Sequence, residues 1–261
     1  ETPQTMSANR KHVLAAIAIW IALSLVGYAF AFGYVPTGLL LKGGASAQAD
    51  VVDEAYRLLT ILAVPVFTSV LAVVLYGLLR FRANGEPSDD GPSIRSNTPF
   101  TILWVALSAV LCMFVIIHPG ITGVNELRAY DGEDVDLVVN VQSARFAWFV
   151  QYPEHNIKTS RELVLPVGAV TRFYVTSKDV IHSFWIPAFR VKIDAVPGMT
   201  TSVVATPNRT GEFKQDVNFR LQCAELCGVG HSTMSIPVRV VTEAEFETWV
   251  AEQTPINKVG E

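Results

Sequence analysis

Three nearly uncharged apolar runs, residues 13–34, 58–79 and 100–121, constrain the folding of this chain more than any other feature. Each holds about 22 residues, and at about 1.5 Å per helical residue each spans the roughly 30 Å hydrocarbon layer of a bilayer. In lipid the backbone must satisfy its own hydrogen bonds, so all three runs are expected to be helices, the second despite Pro65. Arg10 and Lys11 precede the first run, and Arg80, Arg82 and Arg95 separate the second from the third, which assigns both flanks to the cytoplasmic side. Lys42 and Arg57 oppose them more weakly from the loop between the first two runs. The stretch Asn84–Asn97, with Gly85, Pro87, Gly91 and Pro92, reads as a cytoplasmic loop. The triplet Ala45-Ser46-Ala47 resembles a signal cleavage site behind a basic start, but the first run exceeds a signal core of about 7–15 residues and is expected to stay as a third transmembrane helix. Residues 1–122 therefore read as a multi-pass anchor in contact with lipid, and 123–261 as a domain on the outer side.

Beyond residue 122 the period changes. Short β-rich runs at Val135–Val141, Phe146–Tyr152, Val170–Thr176, Arg190–Val196, Thr201–Thr206, Phe213–Phe219 and Ser235–Val241 alternate with turn signals such as Pro166-Val167-Gly168, Pro197-Gly198 and Asn208–Gly211. That spacing predicts an all-β sandwich or barrel. Glu243–Gln253 reads as a short closing helix, with Thr242 as N-cap and Glu245 at the capping-box position. The formal net charge is -4. With no basic patch, nucleic acid is set aside as a partner.

Chemistry concentrates in Cys223-Ala224-Glu225-Leu226-Cys227-Gly228-Val229-Gly230-His231-Ser232-Thr233-Met234, which packs two thiols, an imidazole and a thioether into one loop, with His182 earlier in the chain. Soft sulfur with imidazole suits copper or zinc. A Cys223–Cys227 disulfide fits an oxidising compartment but leaves His182, His231 and Met234 without a reason. Structural zinc has no use for the thioether, and a mononuclear blue-copper site leaves one cysteine spare. Two coppers bridged by two thiolates use every group. Cys112, inside an apolar run, reads as a small buried hydrophobe, and His12, His118 and His155 read as interfacial or solvent-facing.

The order His182, then Cys-x3-Cys-x3-His-x2-Met, together with Asp179-Val180-Ile181-His182-Ser183-Phe184-Trp185-Ile186-Pro187 and the following Ala188–Gly198, resembles the CuA-containing subunit II of cytochrome c oxidase. The resemblance spans roughly residues 55 to 250. It implies a cupredoxin-like Greek-key sandwich behind the helical anchor, in a bacterial-type cell membrane with the domain on the periplasmic side. It also implies that Cys223 and Cys227 bridge two copper ions, with His182, His231, Met234 and the main-chain carbonyl of Glu225 as terminal ligands. The Glu225 carboxylate would reach a magnesium or manganese ion shared with the catalytic subunit. The implied activity is electron transfer from cytochrome c or a similar small donor to haem in the haem-copper catalytic subunit I, within an oxidoreductase and translocase of several subunits. No catalytic residue for oxygen chemistry is expected in this chain.

The family pattern departs here in three places. Arg145-Phe146-Ala147-Trp148-Phe149 has Phe146 where relatives carry the first of two tryptophans, so electrons are expected to enter through Trp148 and Phe149, with Phe146 as packing. Asn97, three residues before Phe100, replaces a glutamate at the mouth of a proton path, and the first helix is additional. Carboxylates including Asp179 and Glu154 are expected to face a basic donor.

Overall fold

The computed structural model describes residues 3–34, 43–82 and 96–253. The chain forms two compact units, one of residues 1–42 with 54–122 and one of 43–53 with 123–261. Lys42, Arg95 and nearly all of the loop expected at Asn84–Asn97 lie outside the described residues.

In the first unit, α1 (Pro3–Tyr28) continues as a π-helical turn over Ala29–Tyr34, α2 runs over Ala47–Arg80 and α3 over Thr98–Val115. The helix α2 starts 11 residues before its apolar run and passes through Pro65. Asn97 caps α3, its side chain accepting from the Phe100 amide at 3.2 Å. The helices that begin at 3, 47 and 98 contain stretches long and apolar enough to cross a membrane. Polar side chains stitch α1 to α2: Trp20 Nε1 donates to the Pro65 carbonyl at 2.8 Å, Ser24 meets Thr68 at 2.7 Å and Tyr28 donates to Ile61 at 2.7 Å. Pro65 has no amide to bond the Ile61 carbonyl four residues earlier, and the Tyr28 hydroxyl supplies that carbonyl with a donor instead. Cys112 lies on α3, a helix none of whose residues is buried against the rest of this chain.

In the second unit, α4 (Thr122–Ala129) precedes eleven strands: β1 Leu137–Ala144, β2 Ala147–Tyr152, β3 Ile157–Thr159, β4 Leu163–Pro166, β5 Thr171–Ser177, β6 His182–Ile186, β7 Val191–Ala195, β8 Thr201–Ala205, β9 Gly211–Glu212, β10 Arg220–Cys223 and β11 Ser235–Val241. They form two sheets, ordered β3-β2-β1-β5-β8 and β4-β11-β10-β6-β7, with β9 against β11. The expected sandwich is present. Strict alternation along β1 and β2 sends Val139, Val141, Trp148, Val150 and Tyr152 inward. Phe213–Phe219, read as a strand, is a run of turns, and the strand lies one residue later. The closing helix α5 (Glu243–Glu252) has the expected capping box of Thr242 and Glu245 and buries Phe246 and Trp249.

Residues 43–53, grouped by sequence with the anchor, instead belong to the β unit. Ala45 and Ser46 are fully buried, the Ala45 amide donates to the Ala188 carbonyl at 2.7 Å, and Asp53 pairs with Arg190 at 2.8 Å. Small residues at 45 and 46 permit this close seating, so the triplet that resembles a cleavage site is a packing element.

Candidate metal centre

Three neighbouring elements deliver the sulfur and nitrogen donors. β10 ends at Cys223 and pairs antiparallel with β6, whose first residue is His182. The loop then turns through Cys227 and a 3-10 turn at His231–Thr233, and returns at Met234 into β11. The Cys223 amide donates to the Met234 carbonyl at 3.0 Å, closing the loop at its base.

The donors converge. Cys223 Sγ lies 3.7 Å from His182 Nδ1, 3.1 Å from the Glu225 carbonyl oxygen and 3.8 Å from Cys227 Sγ. Cys227 Sγ lies 3.7 Å from His231 Nδ1 and 3.9 Å from Met234 Sδ. His182, Cys223, Cys227 and Met234 are all at most 5% exposed, His231 is half-buried and Glu225 is exposed. The sulfurs are far beyond the 2.03–2.05 Å of a disulfide, and both cysteines are free. The ligand atoms of His182, Cys223 and Cys227 all lie within 4.8 Å of one another, and each of the other three groups lies against one of the two sulfurs. A metal–thiolate bond is about 2.3 Å, and two such bonds together exceed the 3.8 Å sulfur separation. A metal touching both sulfurs must therefore sit beside the line joining them. Each sulfur already has its own imidazole and its own weak donor. The donor set of thiols, imidazole and thioether fits a soft metal ion.

Burial, and after it the neighbouring Cys223 thiol, pushes the Cys227 thiol up to about 11, so a metal must displace its proton on binding. His182 Nε2 is 2.9 Å from Asp179 Oδ1. Partial burial alone raises the Asp179 carboxyl, but the bonds from His182, from the Arg145 and Val180 amides and from the Arg145 guanidinium outweigh it and hold the group well below the usual carboxylate range. Asp179, expected as a docking carboxylate, spends one oxygen on His182 and the other on Arg145. Sequence offered a faint signal for this, an aspartate three residues before the candidate ligand His182. Glu154 is exposed in the turn after β2, at the opposite end of that strand from Phe146, so the two expected docking residues are not brought together.

The structure places Trp148 in the core and not at the surface. Trp148 is 0% exposed, its Nε1 donates to the Met234 carbonyl at 3.4 Å, and its ring meets His182 and Phe184 edge to face. It is a core residue beneath the loop, and cannot form a contact surface. Phe146 lies in the turn before β2, outside the strand alternation, and is 36% exposed. Its ring rests on the loop: a Cβ at Gly228 would come within 3.2 Å of the ring and one at Gly230 within 2.5 Å. Gly228, at φ +129°, also requires a glycine backbone. Phe149 is half-buried on the outer face of β2, with Lys178 Nζ 5.2 Å from its ring centroid. On another side of the loop, an open cavity of about 610 Å³, walled by Phe213, Val217, Arg220 and Gln222, reaches Cys223, His231 and Met234.

The sequence profile of the cytochrome c oxidase subunit II periplasmic domain matches residues 138–241. The chain is 29% identical over 261 aligned residues to cytochrome c oxidase subunit 2 of Thermostichus vulcanus, covering 80% of this chain and 77% of that protein. It is 24% identical over 273 residues to the probable cytochrome c oxidase subunit 2 of Rickettsia bellii, covering 96% of each. Among solved structures, the periplasmic domain of subunit II of the cytochrome oxidase of Bradyrhizobium japonicum is 34% identical, with 46% of this chain and 95% of that one covered and a TM-score of 0.43.

Proposed function

Because the chain belongs to the cytochrome c oxidase subunit II family, we propose that Cys223 and Cys227 bridge a pair of copper ions completed by His182, His231, Met234 and the Glu225 carbonyl. The chain is the membrane-anchored electron-transfer subunit of a respiratory oxidase and carries a periplasmic domain. The observation that supports a pair rather than a single ion is the 3.8 Å gap between two thiols, each with its own Nδ1 at 3.7 Å. Two coppers held by shared thiolates supply one-electron acceptance with the charge change spread over both ions. The protein's part is to keep six donors fixed: β6, β10 and β11 are hydrogen-bonded neighbours, and the sulfurs are shielded from water.

Electrons from cytochrome c or a similar small donor enter over Phe146 and the glycine loop beneath it, with Phe149 at the margin, and leave towards haem in the catalytic subunit, where oxygen is reduced. The exposed Glu225 carboxylate is free to reach a magnesium or manganese ion shared with that subunit. The three apolar helices all cross the membrane, with the basic flanks inside. Substituting one ligand at a time in the full chain tests the reading. Cys223→Ser and Cys227→Ser are expected to abolish a thiolate-bridged copper spectrum, whereas Met234→Leu retains copper with a shifted potential. A Cys223→Ser protein that keeps the parental spectrum would refute it.

A further inference from the structure

We propose that Arg145 and Asp179 form a latch that positions both the copper-binding imidazole of His182 and the ring of Phe146 over the copper loop. The inference rests on the copper reading above and concerns how the chain holds that site. Asp179 uses its two oxygens for two different tasks. Its Oδ1 accepts from His182 Nε2 at 2.9 Å and from the Val180 amide at 2.7 Å. Its Oδ2 accepts from the Arg145 amide at 2.8 Å and from Arg145 Nε at 3.3 Å.

The first task fixes a tautomer. A neutral imidazole that gives Nδ1 to a metal carries its proton on Nε2, and a fully buried ring has no water to accept it. Asp179 supplies that acceptor, so Nδ1 is left facing Cys223 Sγ at 3.7 Å. The second task fixes a turn. The Arg145 amide belongs to the residue immediately before Phe146, so holding it sets the backbone from which the ring projects onto Gly228 and Gly230. One carboxylate, on the segment between β5 and β6, thereby ties a ligand to the turn joining β1 and β2. Neither Asp179 nor Arg145 donates an atom to the donor set, so both are positioning residues.

The test uses the full chain in detergent, reconstituted with copper. Asp179→Asn keeps the shape but cannot accept from both Arg145 and His182 as a charge, and is expected to weaken copper binding about 10–100-fold. Loss of a negative charge beside the ligand imidazole disfavours the more positive oxidised pair, so the midpoint potential rises and the mixed-valence spectrum shifts. Arg145→Gln leaves the His182 bond and the residue-145 amide bond in place and removes only the Nε contact at 3.3 Å; it is expected to shift the spectrum and slow electron acceptance less than Asp179→Asn, which disturbs both sides of the latch. If Asp179→Asn lowers the yield of folded protein, Asp179→Glu, which keeps the charge but displaces it, is expected to retain copper with a shifted spectrum. Parental spectrum and potential in the Asp179 variants, with only the salt dependence of donor oxidation changed, would make Asp179 a docking charge and overturn the latch. A parental chain that takes up no copper pair overturns the copper reading first, and the two failures are distinguishable.

Discussion

Replacing Trp148 by Phe separates a core role from a role in electron acceptance. The indole is fully buried, so its loss is felt as packing. Its hydrogen bond to the Met234 carbonyl is long, at 3.4 Å, and that carbonyl retains the Cys223 amide at 3.0 Å, so the bond contributes at the low end of about 0.5–1.5 kcal/mol. Edge-to-face contacts with His182 and Phe184 contribute on the order of 0.5–1.5 kcal/mol beyond area, and the vacated volume adds a cavity cost. The sum is about 2 kcal/mol for Trp148→Phe, against about 3–5 kcal/mol for Trp148→Ala. The assay is thermal unfolding of the copper-loaded full chain in detergent, followed by its copper absorbance, alongside the rate of electron acceptance from a soluble donor at low temperature. The unfolding midpoint is expected to fall while the rate stays within about twofold of the parent. Unchanged stability with a tenfold slower rate would refute the reasoning and return Trp148 to the electron path.

Tyr152→Phe is expected to cost about 2 kcal/mol in denaturant unfolding, because the buried phenol both donates to the Val164 carbonyl and accepts from the Val164 amide, each at 2.9 Å. Burial raises the same phenol above the ordinary tyrosine range, so in an alkaline absorbance titration one tyrosine is expected to ionise only as the domain unfolds. Thr242→Ala removes the cap of α5 and is expected to cost about 1 kcal/mol, read from the same unfolding curve. With Asp179 tied to Arg145 and His182, donor oxidation across ionic strength is expected to change well below tenfold, a weaker response than strong steering gives, and stopped-flow rates at low and high salt decide it.

The sequence made the candidate donor set legible because Cys-x3-Cys-x3-His-x2-Met is local: four soft donors within twelve residues need only one loop to converge. The three long apolar helices were legible for the same reason, since uninterrupted apolar length needs no tertiary partner. What failed depended on packing. Alternation paired Phe146 with Trp148 on one face, but Phe146 lies in the turn and escapes the strand's period. The β6 strand, which carries His182, is only five residues long and nearly all buried, so it shows no alternating signature. Asp179 looked like a surface charge because nothing local reveals that its partners are His182 and Arg145, the latter 34 residues away. The seating of Ala45 and Ser46 against residues 188 and 189 is likewise a long-range fact.

The most direct test of the copper pair is metal analysis of the full chain purified from its native membrane, combined with electron paramagnetic resonance of the same sample. The account predicts two coppers per chain and a signal in which one unpaired electron is shared equally between two copper nuclei. One copper per chain with a single-nucleus signal, or zinc in its place, would contradict it.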